Sequence, residues 1–219
     1  MTDLSSPSAH SPGTTDVQAN RHSLTRYYQF HAKIYDATRW SFLFGRAALI
    51  HSAGARCRAT RILEVGCGTG HNLRALAQAY PEAEITGIDL SPDMLTIAEK
   101  SLGAYRDRIR LRQEAYGPHR AAQPRYDLIL FSYALTMFNP GWDAAIDCAH
   151  RDLFLDGTIA VVDFHRTAVA PFERWMATNH VRMTGHLLPK LRTHFSPIAC
   201  EVAPAYAGLW HYFLFLGKK

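Results

Sequence analysis

Short apolar runs alternate along this chain with stretches in which apolar residues recur at every third or fourth position. The runs 61–65, 84–88, 109–112, 126–131 and 158–164 have the length and texture of strands. Between them, 69–79, a segment opened by Ser91-Pro92-Asp93, and 142–151 carry the helical period. The second of these has a capping serine with proline in its first turn. Strands that alternate with helices predict a parallel, doubly wound α/β sheet. The C-terminal part changes pattern: 202–206 and 209–216 read as two strands with a turn at Gly208 and no helix between. That predicts a closing antiparallel hairpin and seven strands in all.

The flanks of this alternation differ from its centre. Residues 1–22 are poor in apolar side chains and rich in Ser and Pro, which predicts a disordered tail. The domain then occupies 23–219. In 23–58, Tyr27, Tyr28, Phe30, Ile34, Tyr35, Trp40, Phe42 and Phe44 are interleaved with basic residues, the texture of amphipathic helices that cover the sheet. Residues 166–194 depart from the strand–helix rhythm and are expected to be an insertion on the substrate side.

One stretch carries the chemistry. The strand 61–65 ends in Glu64-Val65-Gly66-Cys67-Gly68-Thr69-Gly70, and the next strand closes on Asp89. Alternating glycines let the chain bend sharply and expose bare backbone to a ligand. Asp89, at the carboxyl edge of the neighbouring strand, can accept both hydroxyls of a ribose. A dinucleotide site would want Gly-x-Gly-x-x-Gly. Gly66 and Gly68 fit, but His71 stands where the third glycine belongs, and Glu64 would set a carboxylate beside a pyrophosphate.

Glu-x-Gly-x-Gly-x-Gly followed by the later acid resembles the motif of class I methyltransferases that use S-adenosyl-L-methionine, whose sulfonium and ammonium suit an acid-lined pocket. The resemblance implies a Rossmann-like fold and a cofactor site of Glu64, Gly66, Gly68, Gly70, Asp89, Leu90, Glu114, Ala115 and Ser132, with Glu114 toward the adenine. Tyr133 closes the fourth strand, where the methyl group meets its acceptor. His165, at the end of the fifth, is the most plausible proton acceptor. Methyl transfer to a neutral amine chiefly requires alignment, so a strong base is not demanded.

The run Tyr35-Asp36-Ala37-Thr38-Arg39-Trp40-Ser41-Phe42-Leu43-Phe44-Gly45-Arg46 is more specific. With Gly68 to Leu73, Phe172 to Leu191 and the final Tyr212 to Lys219, it resembles the N-methyltransferases of betaine-lipid synthesis. These convert diacylglyceryl-homoserine to its trimethylated form. That resemblance implies a lipid-headgroup substrate at a membrane surface, with Tyr35 near the reacting groups and Arg39 near the headgroup carboxylate. Phosphatidylethanolamine N-methyltransferases share the core and a similar opening, and a soluble small amine remains a further alternative.

Composition narrows the picture. The net charge is +5, concentrated outside the glycine motif. Residues 21–58 hold seven Lys/Arg against Asp36, and 166–194 hold five against Glu173. Such flanks suit an anionic surface or a solvated face, and the expectation is a cytoplasmic protein peripherally associated with membrane. No apolar run is long enough to span one. The four cysteines are scattered and read as reduced thiols. The twelve histidines show no zinc-like spacing; His180 and His186 are expected near one another on a helix, without a third ligand. The position after the fourth strand reads Ser132-Tyr133-Ala134-Leu135 and lacks the Asn/Asp-Pro-Pro-aromatic run of nucleic-acid amino-methylases, so no nucleic-acid partner is expected.

Overall fold

The computed structural model describes residues 42–119 and 125–219. The elements in chain order are α1 (Arg46–Arg56), β1 (Arg61–Val65), α2 (His71–Ala79), β2 (Glu84–Asp89), α3 (Pro92–Ser101), β3 (Ile109–Gln113) and β4 (Tyr126–Ser132). After them come α4 (Trp142–Asp152), β5 (Leu153–Arg166), α5 (Ala170–Thr178), α6 (Leu187–His194), β6 (Ser196–Ala205) and β7 (Trp210–Lys218). The seven strands form one sheet in the order β3-β2-β1-β4-β5-β7-β6. β1 to β5 are parallel, while β7 runs antiparallel to both β5 and β6. This is the Rossmann-like architecture with its C-terminal antiparallel strands.

Alternation along the strands divides the core into two layers. Ile62, Ile85, Leu128, Leu130, Ala160 and Val162 point to one face and pack against α1, α2 and α3 through Leu49, Ile50, Leu73, Leu76 and Ala98. Leu63, Val65, Ile129, Phe131, Ile159 and Val161 point to the other, against Ala145, Ile146 and Ala149 of α4 and Leu187, Leu188 and Leu191 of α6. The second half of the segment expected as an insertion is thus a helix of the core layer. Of the expected covering helices only α1 falls in the described residues; the tail and 23–41 lie outside them.

Three boundaries differ from the pattern in the sequence. α2 begins at His71, two residues late, because Gly70 is left-handed (φ 80) and cannot continue a helix. β5 begins at Leu153, which pairs with Tyr126. The chain then bulges out through Asp156 (φ 67) and rejoins β4 with Thr158 opposite Leu128. β6 starts at Ser196, six residues before the expected 202. Nearly all of it is solvated, so it lacks the alternation that marks a half-buried strand, and its prolines 197 and 204 sit on an edge where ladder donors are dispensable.

Candidate active site

The strand order reverses between β1 and β4, and the crevice outside the carboxyl ends of these strands is where an open α/β sheet takes its ligand. The glycine turn fills that place. Its backbone is fastened to the neighbouring strand: the N–H groups of Gly66 and Cys67 both donate to the Ile88 carbonyl, at 2.8 and 3.0 Å. Gly66, Gly68 and Gly70 all have positive φ, which L side chains adopt at a cost. Gly87 on β2 permits the close approach. A Cβ there would lie 2.6 Å from Leu73 Cδ1 and 3.0 Å from Cys67 Sγ.

Asp89 has a second duty. Its Oδ2 accepts the Gly68 N–H at 2.8 Å and its Oδ1 the Ser91 N–H at 2.9 Å. The carboxylate thus ties the glycine turn to the start of α3, whose capping Ser91 hydroxyl accepts the Met94 N–H. Four lone-pair positions serve these two donors, so capacity remains for ligand hydroxyls. The Glu114 N–H donates to the Asp89 carbonyl at 3.1 Å and brings the β3 exit alongside. Leu90 and Ala115 are exposed beside it. Glu64 is buried and accepts the Asn72 amide at 2.8 Å. Asn72, from the first turn of α2, was not singled out in the sequence, where an Asn in a helix carries no signal.

At the end of β4, Ser132 is buried with no hydrogen-bond partner for its hydroxyl. Such orphaned polar atoms are rare in folded proteins, and one at this edge fits a polar ligand. Tyr133 follows with φ 54. Its hydroxyl donates to the Phe44 carbonyl at 2.9 Å and its ring packs edge-on to Phe164. Burial raises its pKa far above that of a free phenol, with Asp163 adding to the effect. The hydroxyl expected at the reacting centre is a tether between β4 and the segment that leads into α1.

His165 is on the opposite face of the sheet from Tyr133, its ring against Phe213. Burial lowers its pKa, and Arg166, His211 and Arg192 lower it further, which favours the neutral ring. The structure does not bring Tyr133 and His165 together. Tyr35 and Arg39 lie outside the described residues. His180 and His186 share no helix: one is on the turn after α5 and the other precedes α6. No group of metal ligands is found among the described residues.

Asp163 is the centre of a second scaffold, at the ends of β4 and β5. It is fully buried on β5 and accepts from the Thr136 N–H, the Thr136 hydroxyl and the Phe164 N–H. Burial raises its pKa to about 6 against the opposing pull of these donors. The Thr136 carbonyl in turn accepts from the Arg182 N–H and the Asn139 amide. One carboxylate thereby locks the β4 exit loop to β5 and, through Thr136, to the turn after α5.

Comparison with known proteins agrees with this geometry. Residues 62–157 match the family model described as a methyltransferase domain. The matched stretch, 62–157, is thus a methyltransferase domain. The chain is 39% identical over 153 residues to a ubiquinone/menaquinone biosynthesis C-methyltransferase of Syntrophotalea carbinolica, covering 70% of this chain and 60% of that protein. To a malonyl-[acyl-carrier protein] O-methyltransferase of Priestia megaterium it is 31% identical over 122 residues, 55% of this chain and 43% of the relative. It thus spans less than two thirds of these curated relatives. The methyltransferase fold is shared with the Burkholderia thailandensis 1,6-didemethyltoxoflavin-N1-methyltransferase, solved with S-adenosylhomocysteine. The TM-score is 0.69 at 18% identity, over 99% of this chain and 93% of that one.

Proposed function

We propose that the chain transfers the methyl group of S-adenosylmethionine to the amine of a diacylglyceryl-homoserine headgroup at a membrane surface. The cofactor supplies a methyl already activated by its sulfonium. The protein's part is to bind, orient and exclude water. The glycine turn presents bare backbone, Asp89 offers its remaining acceptor capacity to ribose hydroxyls, Glu114 faces the adenine side, and Ser132 meets a polar group at the β4 edge. Leu90 and Ala115 flank the adenine. Tyr133 and Asp163 hold the acceptor wall in place, and Tyr35 and Arg39 keep only the nearness to the headgroup that the family resemblance implies.

The observation that carries the membrane reading is an aromatic surface on the acceptor side. Phe42 and Phe44 meet Trp175 of α5 and Tyr206 of the β6–β7 turn at ring separations of 6.4 Å (Phe42–Trp175) and 5.5 Å (Phe44–Tyr206). Trp175 and Tyr206 are half exposed, with Phe44 and Val169 beside them. Exposed contiguous apolar surface marks an interaction site, and aromatics bordered by basic residues suit a lipid interface. No helix among the described residues is long and apolar enough to cross a membrane.

A second reading, methyl transfer to a carboxylate, is favoured by the name of the malonyl-[acyl-carrier protein] O-methyltransferase relative. Purified protein with labelled cofactor, offered vesicles of diacylglyceryl-homoserine, vesicles of phosphatidylethanolamine, a soluble amine panel and malonyl thioesters, tests both. Label in the homoserine lipid supports the proposal. Label only in phosphatidylethanolamine or soluble amines refutes the specific lipid, and label only in the thioester selects the second reading.

A further inference from the structure

The end of β5 gathers cations that no carboxylate among the described residues balances. From Thr158 opposite Lys218 to Phe164 opposite Tyr212, β5 and β7 pair one to one; Arg166 then faces His211, which leaves His165 as the extra residue of a β-bulge. Bulges of this kind re-aim side chains and are frequent beside functional sites. Arg166 also forms an isolated bridge with Thr184, and the Gly185 N–H donates to the His165 carbonyl at 2.8 Å. Gly185 has no side chain to intervene: Arg166 Nη2 and His165 Cε1 lie 3.1 and 3.2 Å from where its Cβ would be. On the far side of Thr184, Arg182 Nε reaches its hydroxyl at 3.2 Å, and the same oxygen meets His186 Nδ1 at 3.0 Å.

Among the described residues, the charged neighbours that act on His165 are all basic: Arg166, His211 and Arg192. Arg166, Arg182 and Arg192 have no carboxylate partner among the described residues. Two ring nitrogens in the cluster, His165 Nδ1 and His186 Nε2, are buried without a hydrogen-bond partner. Unbalanced like charges around one loop repel, and buried polar atoms without partners are costly. An oxyanion relieves both, since guanidinium groups bind carboxylate and phosphate in bidentate fashion.

We infer that Arg166, Arg182 and the Thr184 hydroxyl, flanked by His165, His186 and His211, form an oxyanion-binding site that takes the carboxylate or phosphate carried by the methyl acceptor. That the ligand is the acceptor rests on the proposed function; the oxyanion chemistry does not. β5 is separated from β1 by β4 alone, so the site lies about two strand spacings, or ~10 Å, sideways from the glycine turn. A small acidic headgroup or acyl group spans that distance. The site therefore selects acceptors in which an acid accompanies the methylated atom.

The test titrates the full chain, saturated with S-adenosylhomocysteine, with inorganic phosphate while the histidine ring resonances are followed by NMR. Saturable movement of His165 and His211 is expected, weakened about tenfold or more in R166M/R182M as charge-assisted bonds are lost. R110M, on β3 at the far end of the sheet, should match the wild type. Unmoved resonances, or equal affinity in R166M/R182M, overturn the site. The exposed single variant R182M repeats the measurement if the double variant does not fold, and equal affinity there overturns it too. Displacement of phosphate by phosphatidylglycerol vesicles assigns the oxyanion to a lipid headgroup, whereas displacement by malonate alone assigns it to a soluble acid; both support the site. Calorimetry with S-adenosylhomocysteine separates the two readings. Failure to bind it refutes the proposed function, and the same phosphate titration run without it then decides the site by the same criteria.

Discussion

Replacement of Asp89 by Ala separates two jobs that the structure gives to one carboxylate. In the free protein it accepts the N–H groups of Gly68 and Ser91 at 2.8 and 2.9 Å. Hydrogen bonds to an ionised, partly buried acceptor contribute about 1.5–3 kcal/mol each, less where water reaches them. Removing both should destabilise the fold by about 2–4 kcal/mol. Any ribose hydroxyls held by the remaining lone pairs are lost as well, so the cofactor should weaken by a similar 2–4 kcal/mol, or about 30- to 1,000-fold. Asp89→Asn divides the effects: its amide oxygen can still accept one backbone N–H, but its NH2 opposes the other. Urea denaturation measures the first loss and calorimetry with S-adenosylhomocysteine the second. If D89A loses stability while its affinity is unchanged at a temperature where it remains folded, Asp89 only staples the turn, and the ribose assignment fails.

Tyr133→Phe removes the bond to the Phe44 carbonyl and should cost about 1 kcal/mol. Because the hydroxyl is a tether, kcat should fall less than tenfold with an unchanged pH profile; a lost alkaline limb would reinstate the phenol as an acid–base group. Asp163 has its carboxyl pKa raised from 3.8 to about 6. The unfolded chain therefore ionises first, so between pH 4 and 6 rising pH costs the wild type up to about 3 kcal/mol relative to Asp163→Asn. Parallel stability curves for the two proteins across that range would refute this account. Gly70→Ala must hold a left-handed φ of 80 with Leu102 Cδ1 only 2.8 Å from the new Cβ, and should lower stability by about 2–4 kcal/mol; a Tm within a degree of wild type would show that the turn can refold.

What the sequence made legible is what local pattern encodes. The glycine run, its strand and the acid that closes β2 are contiguous or one element apart, and their roles follow from backbone geometry. The parallel strands were visible because burial on both faces makes them continuous apolar runs. The edge strand β6 was cut short because a solvated edge leaves no periodic trace. The acceptor side was least visible, since its decisive contacts are tertiary: Tyr133 reaches Phe44 across 89 residues, and Asp163 reaches Thr136 across 27. Nor does any pattern mark the bulge at His165, because one extra residue in a strand shows only against its partner.

The position of β7 bears on how the molecule is made. Strand β6 touches the sheet only through β7, and β7 lies between β5 and β6 although it follows both in the chain. During synthesis, β5 and β6 emerge with a vacant slot between them. Each then presents an unpaired edge, a template for another chain. Phe213 and Phe215, fully buried once β7 docks, emerge only after both of those strands. The α4 and α6 layer therefore cannot close over its core until translation has passed Lys218. A ribosome-bound chain stalled just short of β7 should remain protease-sensitive and recruit chaperones, while release of a few more residues should complete the fold in one step.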